Sequence, residues 1–134
     1  MVLLFIKMKI MTKKILFIED EAALQKAVTG ALAGAGYAVF SALNGDDGIR
    51  IVKSEMPDLI LLDLMLPQKN GFEVLEALKK DAATAAIPVI IMSNLEGAGD
   101  VDRALALGAT TFLVKMNYKL DDVVAKIKEA IGGA

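Results

Sequence analysis

Leu59-Ile60-Leu61-Leu62-Asp63 decides the fold: four aliphatic residues without a polar break, then a carboxylate. Alternating apolar and polar residues would mark a strand wet on one face. An unbroken apolar run marks a strand covered on both, as in a parallel sheet flanked by helices. Working outward, the pattern recurs. Ile15-Leu16-Phe17-Ile18 precedes Glu19-Asp20, Val89-Ile90-Ile91-Met92 precedes Ser93, and Thr111-Phe112-Leu113-Val114 precedes Lys115. Tyr37 to Ala42 is a weaker, partly polar run, read as a strand near the sheet edge.

Helical periodicity fills the gaps between these runs. Leu24, Val28, Ala31 and Leu32 mark the first helix, which Gly34 and Gly36 stop. Asn44-Gly45 turns into a short helix through Ile49 and Val52, ended by Pro57. Gly71 opens a third helix with Phe72, Leu75 and Leu78 on one face. Val101, Ala104 and Leu105 lie on a fourth, capped by Gly108. Leu120, Val123, Val124, Ile127 and Ile131 form the clearest amphipathic stripe. The alternation predicts an α/β domain with right-handed crossovers and a parallel, doubly wound five-stranded sheet.

In such a sheet the strand C-termini share one edge, and ligands bind in the crevice outside it. Glu19, Asp20, Asp63, Ser93 and Lys115 all stand directly after strands, so they are expected to converge in one pocket of three acids, a hydroxyl and an ammonium. Each has an ordinary alternative. Asp20 suits the N-cap of the first helix, although its capping-box partner is missing because Ala23 stands three residues on. Glu19 has no expected capping role. Ser93 suits a turn with Asn94, and Lys115 suits a solvated strand end. None of these alternatives accounts for the joint placement at one edge.

Composition narrows the chemistry. The 134 residues suit one domain, and 55% hydrophobic content supports a real core. A net charge of −2 gives no sign of a nucleic-acid surface. Cysteine and histidine are both absent, which excludes disulfides, thiolate metal sites, a Ser-His-Asp triad and a histidine phosphocarrier within the chain. Gly34-Ala35-Gly36 follows a helix rather than a strand, and Gly97-Ala98-Gly99 lacks a following Gly-Lys-Ser/Thr, so neither is a phosphate-binding loop. Residues 1–11 are set apart as a leader, either an upstream start before Met11 or an extra strand or dimer contact. They are too short to span a bilayer and make a poor signal peptide, and a cytoplasmic protein with no membrane contact is expected. Residues 12–134 form the expected domain.

Several segments together resemble the receiver domain of two-component response regulators. They are Ile15 to Glu21, Pro57 to Pro67 with Gly71-Phe72-Glu73, Ile90 to Ser93, and Gly108-Ala109 through Lys115. The resemblance implies a flavodoxin-like fold with strand order 2-1-3-4-5. It implies Asp63 as phosphoacceptor, and Mg2+ held by Asp20, Asp63, Glu19 through water, and the Met65 carbonyl. Ser93 and Lys115 would bind phosphoryl oxygens, and Phe112 would be the aromatic switch paired with Ser93. The phosphodonor would be a histidine kinase or histidine phosphotransfer protein. A downstream protein would read the face formed by the fourth helix, fifth strand and fifth helix, since the sequence stops at Ala134 after that helix. A relay role, or origin within a longer protein, fits equally. The chain would be no enzyme beyond its own phosphorylation and dephosphorylation.

The physical logic is independent of the name. Clustered carboxylates repel, and a hard divalent cation with oxygen ligands relieves that repulsion. Three departures from the family pattern stand out. Met116 replaces the usual, often cis, proline, predicting a trans bond and a reshaped loop. The acidic pair is Glu-Asp. Met65 and Leu95, flanking the expected path of attacking water, are apolar and predict slow hydrolysis of the acyl phosphate. The alternatives are a degenerate, unphosphorylated receiver acting as a binding module, a phosphatase, and a flavin-binding domain. Met65, where dehalogenase-type phosphatases need a second Asp, opposes the phosphatase, and the acidic loop after the first strand opposes flavin phosphate.

Overall fold

A computed structural model describes residues 2–3, 12–94 and 98–133. Its elements alternate from end to end. They are β1 (Lys14–Ile18), α1 (Ala22–Gly34), β2 (Ala38–Ala42), α2 (Gly45–Glu55), β3 (Leu59–Leu62) and α3 (Gly71–Lys80). Then follow β4 (Val89–Ser93), α4 (Ala98–Ala106), β5 (Thr111–Val114), a 3-10 turn (Lys115–Asn117) and α5 (Leu120–Ile131). All strand pairings are parallel, in the order β2-β1-β3-β4-β5. β3 is central and buried along its whole length, as its unbroken apolar run predicts, and β2 lies at the edge.

Side chains alternate across the sheet, so each interior strand feeds two cores. Leu16, Ile18, Ile60, Leu62, Val89 and Ile91 pack with Val52, Val74, Leu75 and Leu78 on the α2–α3 side. Ile15, Phe17, Leu59, Leu61, Ile90 and Met92 pack with Val28, Leu32, Val123 and Ile127 on the α1–α5 side.

The structure corrects several local expectations. β2 begins at Ala38, while Tyr37 is buried in the core with its hydroxyl donating to Gly132 O at 2.8 Å. Ser93 is the last residue of β4 rather than the first beyond it. Leu105 and Leu120 are exposed, at 42% and 37%, and Phe72 is half-buried while Val74 takes the core position on α3. α2 closes through Met56 in the left-handed region, one residue before Pro57. Among the described residues no peptide bond is cis, so Lys115–Met116 is trans as expected, and the 3-10 turn occupies this stretch. The expected leader strand and Leu95 lie outside the described residues, and Val2 and Leu3 are exposed.

Candidate functional site

Glu19 and Asp63 are placed by the sheet itself. β1 and β3 pair in register through Ile18↔Leu62, so the next residue on each strand projects beyond the same edge. The ladder runs one step further: Asp63 N–H donates to Ile18 O at 3.0 Å, and Glu19 N–H donates to Ala42 O at 3.0 Å. Both carboxylates are buried, Glu19 at 0% and Asp63 at 1% exposure. Asp20 is exposed. One carboxylate oxygen from each of the three lies within 4.8 Å of the others.

Lys115 reaches this cluster from the end of β5. Its Nζ lies 2.6 Å from Glu19 Oε1, 3.2 Å from Asp63 Oδ2 and 3.7 Å from Glu21 Oε2. Burial alone would lower the lysine's pKa, but the Glu19 and Asp63 carboxylates more than reverse this and raise it above its ordinary value. Glu19 moves the other way from a normal carboxyl. Burial pushes its pKa up from 4.5 to about 7; Lys115 opposes that rise and the Asp63 charge adds to it.

The remaining acid oxygens are held by main-chain amides. Asp63 Oδ1 accepts from Met65 N–H at 3.0 Å, and Glu19 Oε2 accepts from Glu21 N–H at 3.1 Å. Glu19 thereby serves an amide at the start of α1, a role the sequence reading did not assign to it. Asp20 is not the N-cap: that position is Glu21, whose side chain makes no capping bond. Gly71 lets α3 start against the Asp63 backbone. Its N–H donates to Leu64 O at 2.9 Å, and a Cβ there would lie 2.5 Å from both Asp63 O and Leu64 Cα.

Ser93 is buried at the end of β4, in register with Val114. Among the described residues it makes no hydrogen bond or ion pair with the acids. Phe112 lies lower on β5, opposite Ile91, with 36% of its surface exposed. Met65 is 73% exposed and Met116 is 79% exposed. A cleft of about 310 Å3 lined by Glu21, Ala23, Leu24, Asn94, Lys115, Met116 and Tyr118 opens beside Lys115.

Two contributors escaped the sequence reading. Glu21 adds a third acid to Lys115. Gln25, buried on α1, donates through Nε2 to Phe17 O, Ala42 O and Glu19 O. Its signal was available: a polar residue set against the Leu24/Val28/Leu32 stripe needs a partner.

A divalent cation fits this donor set. Three carboxylates converge, and the buried Glu19 Oε1 has no hydrogen-bond partner among the described residues. The Lys115 ammonium forms an ion pair with Oε1 at 2.6 Å. An acceptor left in this way in a buried acidic pocket suits a hard cation.

Comparison with known proteins agrees with the geometry. The sequence model of the response regulator receiver domain matches residues 15–128. Protein PilH of Pseudomonas aeruginosa is 36% identical over 102 residues, covering 76% of this chain and 84% of PilH. Response regulator PleD of Caulobacter vibrioides is 36% identical over 114 residues, covering 85% of this chain but only 24% of PleD. The probable transcriptional regulator ycf27 of Porphyridium aerugineum is 37% identical over 89% of this chain and 48% of its own length. The chain thus spans half or less of these last two relatives. Among solved structures, a CheY-like receiver domain protein from Methanospirillum hungatei superposes with a TM-score of 0.83 at 27% identity, covering 89% of this chain and 93% of that one. The chemotaxis protein CheY4 of Vibrio cholerae matches the fold with a TM-score of 0.84 at 22% identity, covering 90% of this chain and 99% of its own.

Proposed function

The chain belongs to the response regulator receiver family, and on that premise we propose that it is a phosphorylation-switched signalling module whose phosphoacceptor is Asp63. The observation that carries the reading is the convergence of a buried Asp63 with Glu19, Asp20 and Lys115 at one sheet edge. Residues 12–134 are the proposed receiver unit and 1–11 its leader.

In the proposed reaction an Asp63 oxygen attacks phosphorus of a phosphohistidine on a histidine kinase or phosphotransfer protein. An O–P bond forms, and the P–N bond breaks with its electron pair passing to the imidazole. A carboxylate has no proton to remove, so the absence of histidine from the chain is no obstacle. Asp20, Asp63 and the Met65 carbonyl oxygen would hold Mg2+, with Glu19 acting through water. When bound, that ion supplies positive charge against the clustered carboxylates and the phosphoryl oxygens.

Lys115 and the Ser93 hydroxyl are the proposed phosphoryl ligands. Phosphorylation would replace the contact of Lys115 with the Asp63 carboxylate by one with a phosphoryl oxygen, and Ser93 would draw Phe112 inward from its exposed position. Leu105, Phe112, Val114 and Leu120 leave apolar surface open on α4, β5 and α5, which supports that face as the site read by a downstream protein. Among the described residues no helix is long and apolar enough to cross a membrane, and a cytoplasmic setting is part of the proposal. Met65 and Leu95 are proposed to slow hydrolysis, giving an acyl phosphate that lasts minutes; a lifetime of seconds contradicts this. An unphosphorylated receiver gains no support from a site that keeps all its acids and its lysine.

The test is the intact mass after incubation with acetyl phosphate and Mg2+. Wild type gains one phosphoryl group, whereas Asp63→Asn, or wild type without Mg2+, gains none. A wild type that gains nothing overturns the reading.

A further inference from the structure

Gln25 is a buried polar side chain that phosphoryl chemistry leaves unused. It sits beside Leu24, Val28 and Leu32 on the buried face of α1, with 6% of its surface exposed. Its Nε2 lies 2.8 Å from Phe17 O, 3.0 Å from Ala42 O and 3.2 Å from Glu19 O. An amide nitrogen carries two hydrogens, so one is shared between two of these oxygens. The three carbonyls belong to β1, to the end of β2, and to the residue just beyond the β1–β2 ladder, which stops at Ile18↔Ala42.

Glu19 is therefore held on both sides of its main chain. Its N–H donates to Ala42 O at 3.0 Å, and its carbonyl accepts from Gln25. The same Ala42 oxygen takes a bond from each, so Gln25, Glu19 and the end of β2 form one closed unit. The Glu19 side chain is then steered by Oε2 accepting from Glu21 N–H at 3.1 Å, one turn of chain before Gln25 itself. Oε1 has no hydrogen-bond partner among the described residues and is ion-paired with Lys115 Nζ at 2.6 Å, while one Glu19 carboxylate oxygen lies within 4.8 Å of one from Asp20 and one from Asp63.

We infer that Gln25 is a positioning residue for the metal site: by fixing the Glu19 main chain it sets the Glu19 carboxylate among those of Asp20 and Asp63. The inference rests on the metal reading above. Ligands that are held before the ion arrives bind it more tightly, and loss of a supporting hydrogen bond shows as weaker metal binding. A Gln that served only to fill the core would affect stability and leave metal affinity alone, so the two roles separate in experiment.

The test measures the Mg2+ dissociation constant of the full chain by calorimetry, and its melting temperature, for wild type, Gln25→Met and Val28→Ala. Met keeps the length and apolar packing of Gln25 but offers no N–H. It is expected to weaken Mg2+ binding about tenfold or more. Val28→Ala opens the same helix face without touching the clamp, and is expected to lower the melting temperature with the dissociation constant unchanged. Binding in Gln25→Met equal to wild type, or weakened equally in Val28→Ala, overturns the inference. If Gln25→Met does not fold, the 15N side-chain amide resonance of Gln25 in wild type decides. It is expected to shift during Mg2+ titration with the same midpoint as the calorimetry, and a resonance that does not move overturns the inference. Wild type that fails to bind Mg2+ overturns the metal reading itself, and the positioning role with it.

Discussion

Glu19 is held in a conflict that a cation would resolve. Buried, beside Asp63, and with its pKa raised from 4.5 to about 7, it keeps a proton in the metal-free protein through the mildly acidic range. Because the folded state holds that proton more tightly than the unfolded chain does, Glu19's contribution to stability is full below about pH 4.5 and is lost as pH rises through about 7. Proton and Mg2+ then compete for the same group. Calorimetry in buffers of different ionisation enthalpy is expected to show proton release on Mg2+ binding at pH 6 and little at pH 8, with affinity rising through pH 7 and flattening above it. Glu19→Gln removes the titration, so its metal-free form should be more stable than wild type at pH 8 and respond less to Mg2+. Gly71 makes a second residue-scale prediction. A Cβ at 2.5 Å from Asp63 O and Leu64 Cα meets backbone that cannot swing aside. Gly71→Ala is expected to cost about 2–3 kcal/mol in urea denaturation and to disturb the site directly below it.

At the scale of single elements, α1 carries both the Gln25 clamp and a spare weakness. Gly30 lies in its exposed middle with nothing within 4 Å of an added Cβ. Gly30→Ala should therefore raise stability by about 0.5–1 kcal/mol without altering Mg2+ binding. The connection from α3 to β4 has its own clamp. Lys79 Nζ donates to Ala85 O at 2.9 Å and Ile87 O at 2.8 Å, and burial lowers its pKa. Lys79→Met is expected to lose about 1.5–3 kcal/mol, since two carbonyls lose a charged donor; thermal melting checks it. Helix starts were legible where a side chain caps them. Asn44 and Asn70 accept from Asp47 and Glu73 N–H, whereas α1 starts at a Glu21 that caps nothing. Phe72 packs at the margin of the expected core face, half-buried, with the Arg103 guanidinium of α4 over its ring at 4.1 Å from the centre. No helical period in α3 carries that contact.

For the whole molecule, the metal reading predicts that Mg2+ stabilises the fold by mass action. At free Mg2+ about 100 times the dissociation constant the gain is about 2.7 kcal/mol, and for a domain of this size the melting temperature should rise by about 5–10 °C. Asp63→Asn should lose most of that rise. The five-stranded order places β5 at one edge and β2 at the other. The exposed apolar residues of β5 thus lie on the flank away from β2, while Tyr37 and Lys13 tie the C-terminal end of α5 to the start of β2 and the lead-in to β1 through Gly132 O and Ile131 O.

The sequence alone determined the alternation of strands and helices, the double burial of β3 and the gathering of Glu19, Asp20, Asp63, Ser93 and Lys115 toward one end of the sheet. It could do so because burial on two faces leaves a local mark, an apolar run, and because parallel strands share the direction of their ends. Tertiary structure alone decided that Lys115 pairs with Glu19 and Asp63, that Glu19 is lifted toward pH 7, that Gly71 must lack a side chain, and that Gln25 grips three carbonyls. Those properties arise between groups far apart in the chain, from distances of a few ångströms and the removal of water, and neither quantity is written in the spacing of residues along one strand.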